Sequence, residues 1–113
     1  MVVHKMKVSI VPFEKIADGS KIIESRLYDE KRQKINLGDY IEFSCNENQS
    51  MKIVVIVKAL YRYPDFKSLF SDFSPTLFGG VSKEELLKGI ETFYTKEEQH
   101  KSSVIGIRVE KIK

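Results

Sequence analysis

Hydrophobic and polar positions alternate with a period of two in several parts of this chain, a pattern typical of β-strands. In the clearest case the apolar side chains of Ile41, Phe43 and Cys45 share one face. Residues 51–61 instead have a continuous apolar centre, which predicts a strand buried on both faces. The segments expected to form strands are residues 21–28, 40–45, 51–61 and 104–112.

Other segments have the spacing of helices. Pro12 opens a short helical segment that Gly19 closes, the arrangement expected at the two ends of a helix. A second helix is expected where one apolar stripe recurs at intervals of three and four residues. That stripe consists of Phe66, Leu69, Phe70 and Phe73.

A third helix is predicted after Ser82, which forms a capping-box pattern with Glu85. Its apolar side chains are expected to face inward: Leu86, Leu87, Ile90, Phe93 and Tyr94. Residues 96–101 are strongly charged and are interpreted as a turn. The order of elements indicates a mixed α+β fold, because too few residues separate the strands for repeated parallel crossovers. We expect a single domain over residues 1–113.

Composition narrows the possible partners. Nineteen Lys and Arg against sixteen Asp and Glu give a net charge of +3, which permits a nucleic-acid partner without requiring one. The longest apolar run, residues 53–57, is far shorter than the ~20 residues that span a bilayer, so no membrane partner is expected. Residues 1–7 lack the features of a signal peptide, and the single cysteine, Cys45, fits a reducing cytoplasm.

Motifs for cofactors and metals are missing from the sequence. Neither His4 nor His100 has a second ligand at metal-binding spacing, so no metal site is expected. Cys45 continues an apolar face and is interpreted as a buried, inert thiol. No phosphate-binding loop or dinucleotide fingerprint occurs, so no cofactor is expected. The oligomeric state has no signature in the sequence.

An ordered set of motifs resembles the ASCH domain family of the PUA-like superfamily. The set begins with a short helix, a G-x-K turn and a strand with E-x-R, and it continues with a basic link, a Gly-Asp turn and a further strand. Each motif is weak alone, but their order across nearly the whole chain is specific. The segments that carry the resemblance are residues 12–27, 29–32, 35–43, 63–69, 94–99 and 104–109.

The resemblance implies a small PUA-like β-barrel of about five to six strands, with three short helices around one opening. In this family a cleft between barrel and helices is thought to accept RNA or a modified nucleoside. A few members resemble enzymes, namely an amidohydrolase that removes the acetyl group from acetylated cytidine, and a ribonuclease.

The G-x-K turn and the E-x-R strand supply the main candidate site residues. Glu24 and Arg26 project from the same strand face, so Arg26 could bind a phosphate with two parallel hydrogen bonds while Glu24 orients it or accepts from a base. Lys21 follows the flexible Gly19-Ser20 pair and could turn toward the same opening as a ligand or as a catalytic base or nucleophile. The alternative without a function is that Glu24 and Arg26 form a solvated ion pair and that Lys21 is an ordinary turn residue.

Three further residues are weaker candidates for RNA binding. Tyr28 shares the strand face of Glu24 and Arg26 and could stack on a base. Lys31 and Arg32 begin a basic cluster that could follow a phosphate backbone, although such runs are often only solvated connections.

Two other functions remain open at this stage. An enzyme, either a hydrolase of an acetylated cytidine nucleoside or a ribonuclease, is suggested by Lys21, which matches the lysine of the amidohydrolase pattern. However, Glu24 stands where that pattern has threonine, and the loop of residues 77–80 lacks its acid, so the sequence favours binding over catalysis. A protein-interaction domain is the third possibility, supported only by the apolar character of the same loop.

Overall fold

The alternating segments assemble into one curved sheet. The computed structural model describes residues 2–112, within which five strands and four α-helices are formed. The elements are β1 (Val3–Val8), α1 (Ile10–Ala17), β2 (Ile23–Leu27), β3 (Tyr40–Cys45), β4 (Lys52–Tyr63), α2 (Phe66–Ser71), α3 (Lys83–Ile90), α4 (Lys96–Ser102) and β5 (Val104–Lys111), with 3₁₀ turns at Arg32–Lys34 and Pro75–Phe78.

The strands lie in the order β1-β3-β4-β5-β2. β1 pairs with β3 in parallel, and the other neighbouring strands are antiparallel. The predicted α+β class is confirmed, and the sheet curves as a half-barrel whose two edges are β1 and β2.

Side chains, and not strand pairing, join these two edges. Arg26 Nη2 on β2 donates to the carbonyl of Lys7 at 2.9 Å. Lys31 Nζ donates to the carbonyl of Lys5 at 2.7 Å. These two carbonyls lie two residues apart on β1, so they face the same edge. A free strand edge carries unpaired backbone groups, and here two cationic side chains satisfy them.

Two apolar clusters form the core. The larger one lies between the inner face of the sheet and α1, and it includes Phe13, Phe43 and Ile107. The smaller one surrounds α2 at the β2–β5 end of the sheet, where Phe66 and Phe78 are buried.

The expectation that residues 51–61 are buried on both faces is wrong. Val55 and Val57 are buried, but Val54, which alternates to the opposite side of the strand, is 37% exposed. β4 therefore has one core-facing side and one solvent-facing side, as antiparallel strands commonly do. The β-branched residues on its outer side fit the strand conformation without being core residues.

The helical segment after Ser82 differs from expectation in two respects. Ser82 Oγ accepts from the amide of Glu85 at 3.1 Å, but the Glu85 carboxylate accepts from the amide of Val81 and not from Ser82. α3 ends at Ile90, so Phe93 lies beyond it and is 74% exposed instead of facing inward.

The charged segment interpreted as a turn is the helix α4. A complete capping box opens it, in which Thr95 Oγ1 accepts from the Glu98 amide and the Glu98 carboxylate accepts from the Thr95 amide. Within this helix only Gln99 is buried, so no apolar stripe revealed it in the sequence.

Candidate functional site

A cavity of about 540 Å³ opens between the sheet edge, α1 and α3. This volume is within the range of small-molecule and nucleotide sites. Strand β2 and the turn before it supply Lys21, Glu24 and Arg26, so the structure brings these three side chains into one hollow.

Glu24 is the charged centre of this cavity. Its side chain is almost completely buried, and the residue is only 5% exposed. Lys21 Nζ lies 2.7 Å from one carboxylate oxygen, Oε1. Arg26 contacts the other oxygen, Oε2, through Nη2 at 2.7 Å and Nε at 2.8 Å. Both oxygens of Glu24 therefore already accept hydrogen bonds from the protein.

This arrangement shifts the ionisation of the two strand residues. Burial alone raises the pKa of Glu24, but the charges of Lys21 and Arg26 outweigh it and lower that pKa to about 2. Burial likewise opposes ionisation of Arg26, yet the Glu24 carboxylate raises the pKa of the guanidinium above its ordinary value. Glu24 is thus a carboxylate, and Arg26 a cation, at any physiological pH.

Two further lysines line the cavity and were missed by the sequence analysis. Lys15 on α1 donates from Nζ to the carbonyl of Gly79 at 2.6 Å, and Lys7 is exposed on β1. Val11, Pro12 and Lys15 all line the cavity. Their spacing predicts from the sequence that they share one face of α1. That this face lies opposite Lys21 depends on tertiary packing and could not be predicted from the sequence.

Gly79 allows the loop after α2 to pack closely against the lysines. Its φ of +83° is in the left-handed region that favours glycine. A Cβ at this position would lie 3.2 Å from Cβ of Lys21 and 3.3 Å from Cδ of Lys15. The apolar loop of residues 77–80 is therefore packed inward, and Phe78 is buried.

Aromatic residues form another side of the cavity. The Tyr94 ring stacks on Phe66, with 5.8 Å between the ring centroids and 26° between the planes. Tyr94 and the exposed ring of Phe93 both line the cavity.

The remaining predicted site residues lie elsewhere. Tyr28 is not among the residues that line the cavity, and its ring packs under the guanidinium of Arg62 at 3.9 Å. Lys31 and Arg32 line a neighbouring groove that also includes Lys7 and Arg26.

Within residues 2–112, no three His, Cys, Asp or Glu side chains are grouped so that they could hold a metal ion. His4 pairs with Asp39 at 2.8 Å, and Cys45 is buried as predicted. No helix in that range has both the length and the apolar composition needed to cross a bilayer.

Known structures share this architecture along the full chain. The hypothetical protein PH0355 is 34% identical, and the match covers 98% of this chain and 100% of that one with a TM-score of 0.87. The protein PF0455 from Pyrococcus furiosus is 32% identical, with 99% of each chain covered and a TM-score of 0.78. No curated protein matches the chain.

A more distant structure has the same fold. A mutant of ZmASCH from Zymomonas mobilis is 12% identical, with a TM-score of 0.62 over 96% of this chain and 67% of that one. It bears out the PUA-like fold expected from the resemblance. The family model for the ASCH domain matches residues 6–113, and the chain therefore belongs to the ASCH domain family.

Proposed function

We propose that this protein binds single-stranded RNA and takes one unstacked nucleotide into the cavity between the sheet edge, α1 and α3. ASCH domains have a PUA-like fold that is associated with RNA binding in general. The observation that carries the proposal is the pairing of cationic and aromatic walls in one cavity of nucleotide size.

The cationic wall is suited to a phosphate. Lys7 and Lys15 present ammonium groups at the cavity, and Arg26 is fixed beside them by Glu24. Charge-assisted hydrogen bonds from such groups are the strongest that a phosphate oxygen accepts. Because both oxygens of Glu24 are engaged by Lys21 and Arg26, its role is to position these two cations.

The aromatic wall is suited to a base. Tyr94 is held against Phe66, while most of the Phe93 ring is open to solvent. Stacking on such rings is how proteins retain bases that have left a helical stack. Tyr94 and Phe93 thus replace Tyr28 as the proposed stacking residues, because Tyr28 packs under Arg62 outside the cavity.

The alternatives have less support from the geometry. A hydrolase that uses Lys21 needs its amine free, and here Lys21 Nζ contacts Glu24 at 2.7 Å. Glu85 lines the cavity, but its Oε1 accepts from the Val81 amide at 3.0 Å. The hypothesis that residues 77–80 bind a protein partner depended on an exposed apolar loop, and Phe78 in this loop is only 4% exposed.

Removing the charge of Lys15 tests the phosphate contact. Lys15→Met keeps the stem that packs on Gly79, and we expect it to weaken binding of a short single-stranded RNA about tenfold. The dependence of log K on log salt should become shallower by about 0.7, the effect of one lost phosphate contact on a single strand. Fluorescence anisotropy across a salt series measures both quantities.

The control is Lys88→Met, which removes one exposed charge outside the cavity. If Lys15→Met and Lys88→Met weaken binding equally, or if neither RNA nor nucleoside monophosphates bind the wild type, the proposed function is wrong. Turnover of acetylated cytidine that is lost in Lys21→Ala would favour the hydrolase instead.

Removing the ring of Phe93 tests the stacking wall. Since Phe93 is largely exposed, Phe93→Ala should leave the melting temperature almost unchanged. We expect RNA affinity to fall at least about fivefold, with no change in salt dependence, because a stacked base contributes about 1–3 kcal/mol. Val81→Ala, at another exposed apolar position, is the matched control. Equal affinities for the two variants would exclude Phe93 as a stacking residue.

A further inference from the structure

We propose that the groove beside the cavity, on the outer face of the sheet, binds the phosphate backbone of the RNA strand whose nucleotide enters the cavity. This inference rests on the proposed function. It adds a second binding surface, which contacts the phosphate backbone of the RNA, whereas the cavity contacts a base.

The groove crosses the β1 edge of the sheet. Alternation along β1 buries Met6 and Val8 and turns Lys5 and Lys7 outward. In the strand register Lys5 lies opposite Glu42, and Ser44 lies between Lys7 and Lys52. The hollow that these side chains surround, together with the segment after β2, has a volume of about 480 Å³.

Charge is concentrated in this groove far beyond the average of the protein. Six of its ten lining residues are Lys or Arg and a single one, Glu42, is acidic, whereas the whole chain carries only +3. Two of the six, Arg26 and Arg32, are paired with Glu24 and Asp29 behind the groove, which leaves four cations against Glu42. Glu42 neutralises little of this charge, since its nearest cation, Lys52, is 3.8 Å away and half exposed. The weak overall charge therefore conceals a local surface of the kind that binds a polyanion. The cationic lining residues are Lys5, Lys7, Arg26, Lys31, Arg32 and Lys52.

Several of these cations are held in place, which distinguishes the groove from a set of mobile surface lysines. Lys31 is anchored to the Lys5 carbonyl, and Arg32 Nη1 contacts Asp29 Oδ2 at 3.0 Å. Arg32 Nε is buried and has no hydrogen-bond partner among the described residues. A buried donor without a partner is costly, and a phosphate oxygen is one group that could satisfy it.

The close approach of like charges around Lys31 also favours an anion in this groove. Burial lowers the pKa of Lys31, and the neighbouring guanidinium groups of Arg32 and Arg26 lower it further. Such repulsion is relieved when an anion binds between the cations.

The groove and the cavity meet at a shared boundary. Lys7 and Arg26 line both hollows, and Arg26 Nη2 donates to the Lys7 carbonyl at 2.9 Å between them. A strand with one nucleotide in the cavity would thus place its neighbouring phosphates along the groove. This continuity favours single-stranded RNA, because a duplex keeps its bases stacked and paired.

The test uses charge removal at Lys5 and Lys52, whose side chains make none of the contacts that join the sheet edges. We expect the double variant Lys5→Met/Lys52→Met to bind a single-stranded RNA of about eight nucleotides about tenfold more weakly. Its salt slope should fall by about 1.4, equivalent to two phosphate contacts. Binding of a nucleoside monophosphate, followed by NMR shifts, should be unchanged because only the cavity is involved.

The matched control is Lys67→Met/Lys88→Met, which lowers the net charge equally at exposed positions outside both hollows. The inference is overturned if the two double variants bind the oligonucleotide equally, or if the oligonucleotide binds no tighter than the monophosphate. If the monophosphate fails to bind while oligonucleotide binding still depends on Lys5 and Lys52, the proposed nucleotide site in the cavity is wrong, and the groove is supported as a site for the RNA backbone.

Discussion

Replacing Glu24 with glutamine is expected to destabilise the protein by about 3–5 kcal/mol at neutral pH, the usual cost of removing one partner from a buried ion pair. The amide would leave Lys21 and Arg26 without the charge that both contact at 2.7 Å at a largely buried position. Denaturant unfolding measures the loss as a lower midpoint with an unchanged slope. Glu14→Gln, which changes an exposed carboxylate on α1, is the control and should alter stability little.

The same substitution predicts a pH dependence. The pKa of Glu24 is lowered from 4.5 to about 2 on folding, so the unfolded chain takes up this proton more readily. The stabilisation by the charged carboxylate is complete above about pH 4.5 and is lost as the pH falls toward about 2. The stability difference between wild type and Glu24→Gln should therefore shrink across that window. A difference that stayed constant in acid would show that the carboxylate charge is not what stabilises the site.

The alternation of residues 21–28 was enough to place Glu24 and Arg26 on one face, because side-chain direction in a strand depends only on local geometry. Lys21 reaches the same hollow from the turn, where Gly19 has a φ of +84°. Tyr28 follows the same alternation but lies just past the end of β2 at Leu27, and it packs under Arg62. Strand periodicity holds only within the strand.

Lys7 and Lys15 could not be assigned to the site from the sequence because they reach it through long-range contacts. The parallel pairing of β1 with β3 and the packing of α1 on the sheet bring them to β2. The charge of the groove was hidden for the same reason, since its cations come from three strands and one connection. By contrast, α4 had a local signal in the capping box of Thr95 and Glu98, which apolar periodicity does not reveal.

Replacing Arg26 with glutamine is expected to cause the largest loss of RNA binding, because this side chain lines both the cavity and the groove. We expect affinity for the oligonucleotide to fall about 10- to 100-fold, as one charge-assisted contact contributes about 1.5–3 kcal/mol. Affinity for the nucleoside monophosphate should fall as well, which separates Arg26 from Lys5 and Lys52. Anisotropy and NMR titrations at a temperature where the variant is folded measure the two losses.

Arg26→Lys distinguishes charge from geometry at this position. A lysine keeps the positive charge, so most of the salt dependence should remain. Its single ammonium cannot reproduce the planar fork through which Arg26 contacts both Glu24 Oε2 and the Lys7 carbonyl, so affinity should lie between those of wild type and Arg26→Gln. Wild-type affinity in a folded Arg26→Gln protein would rule out the shared boundary as the point where the strand passes from cavity to groove.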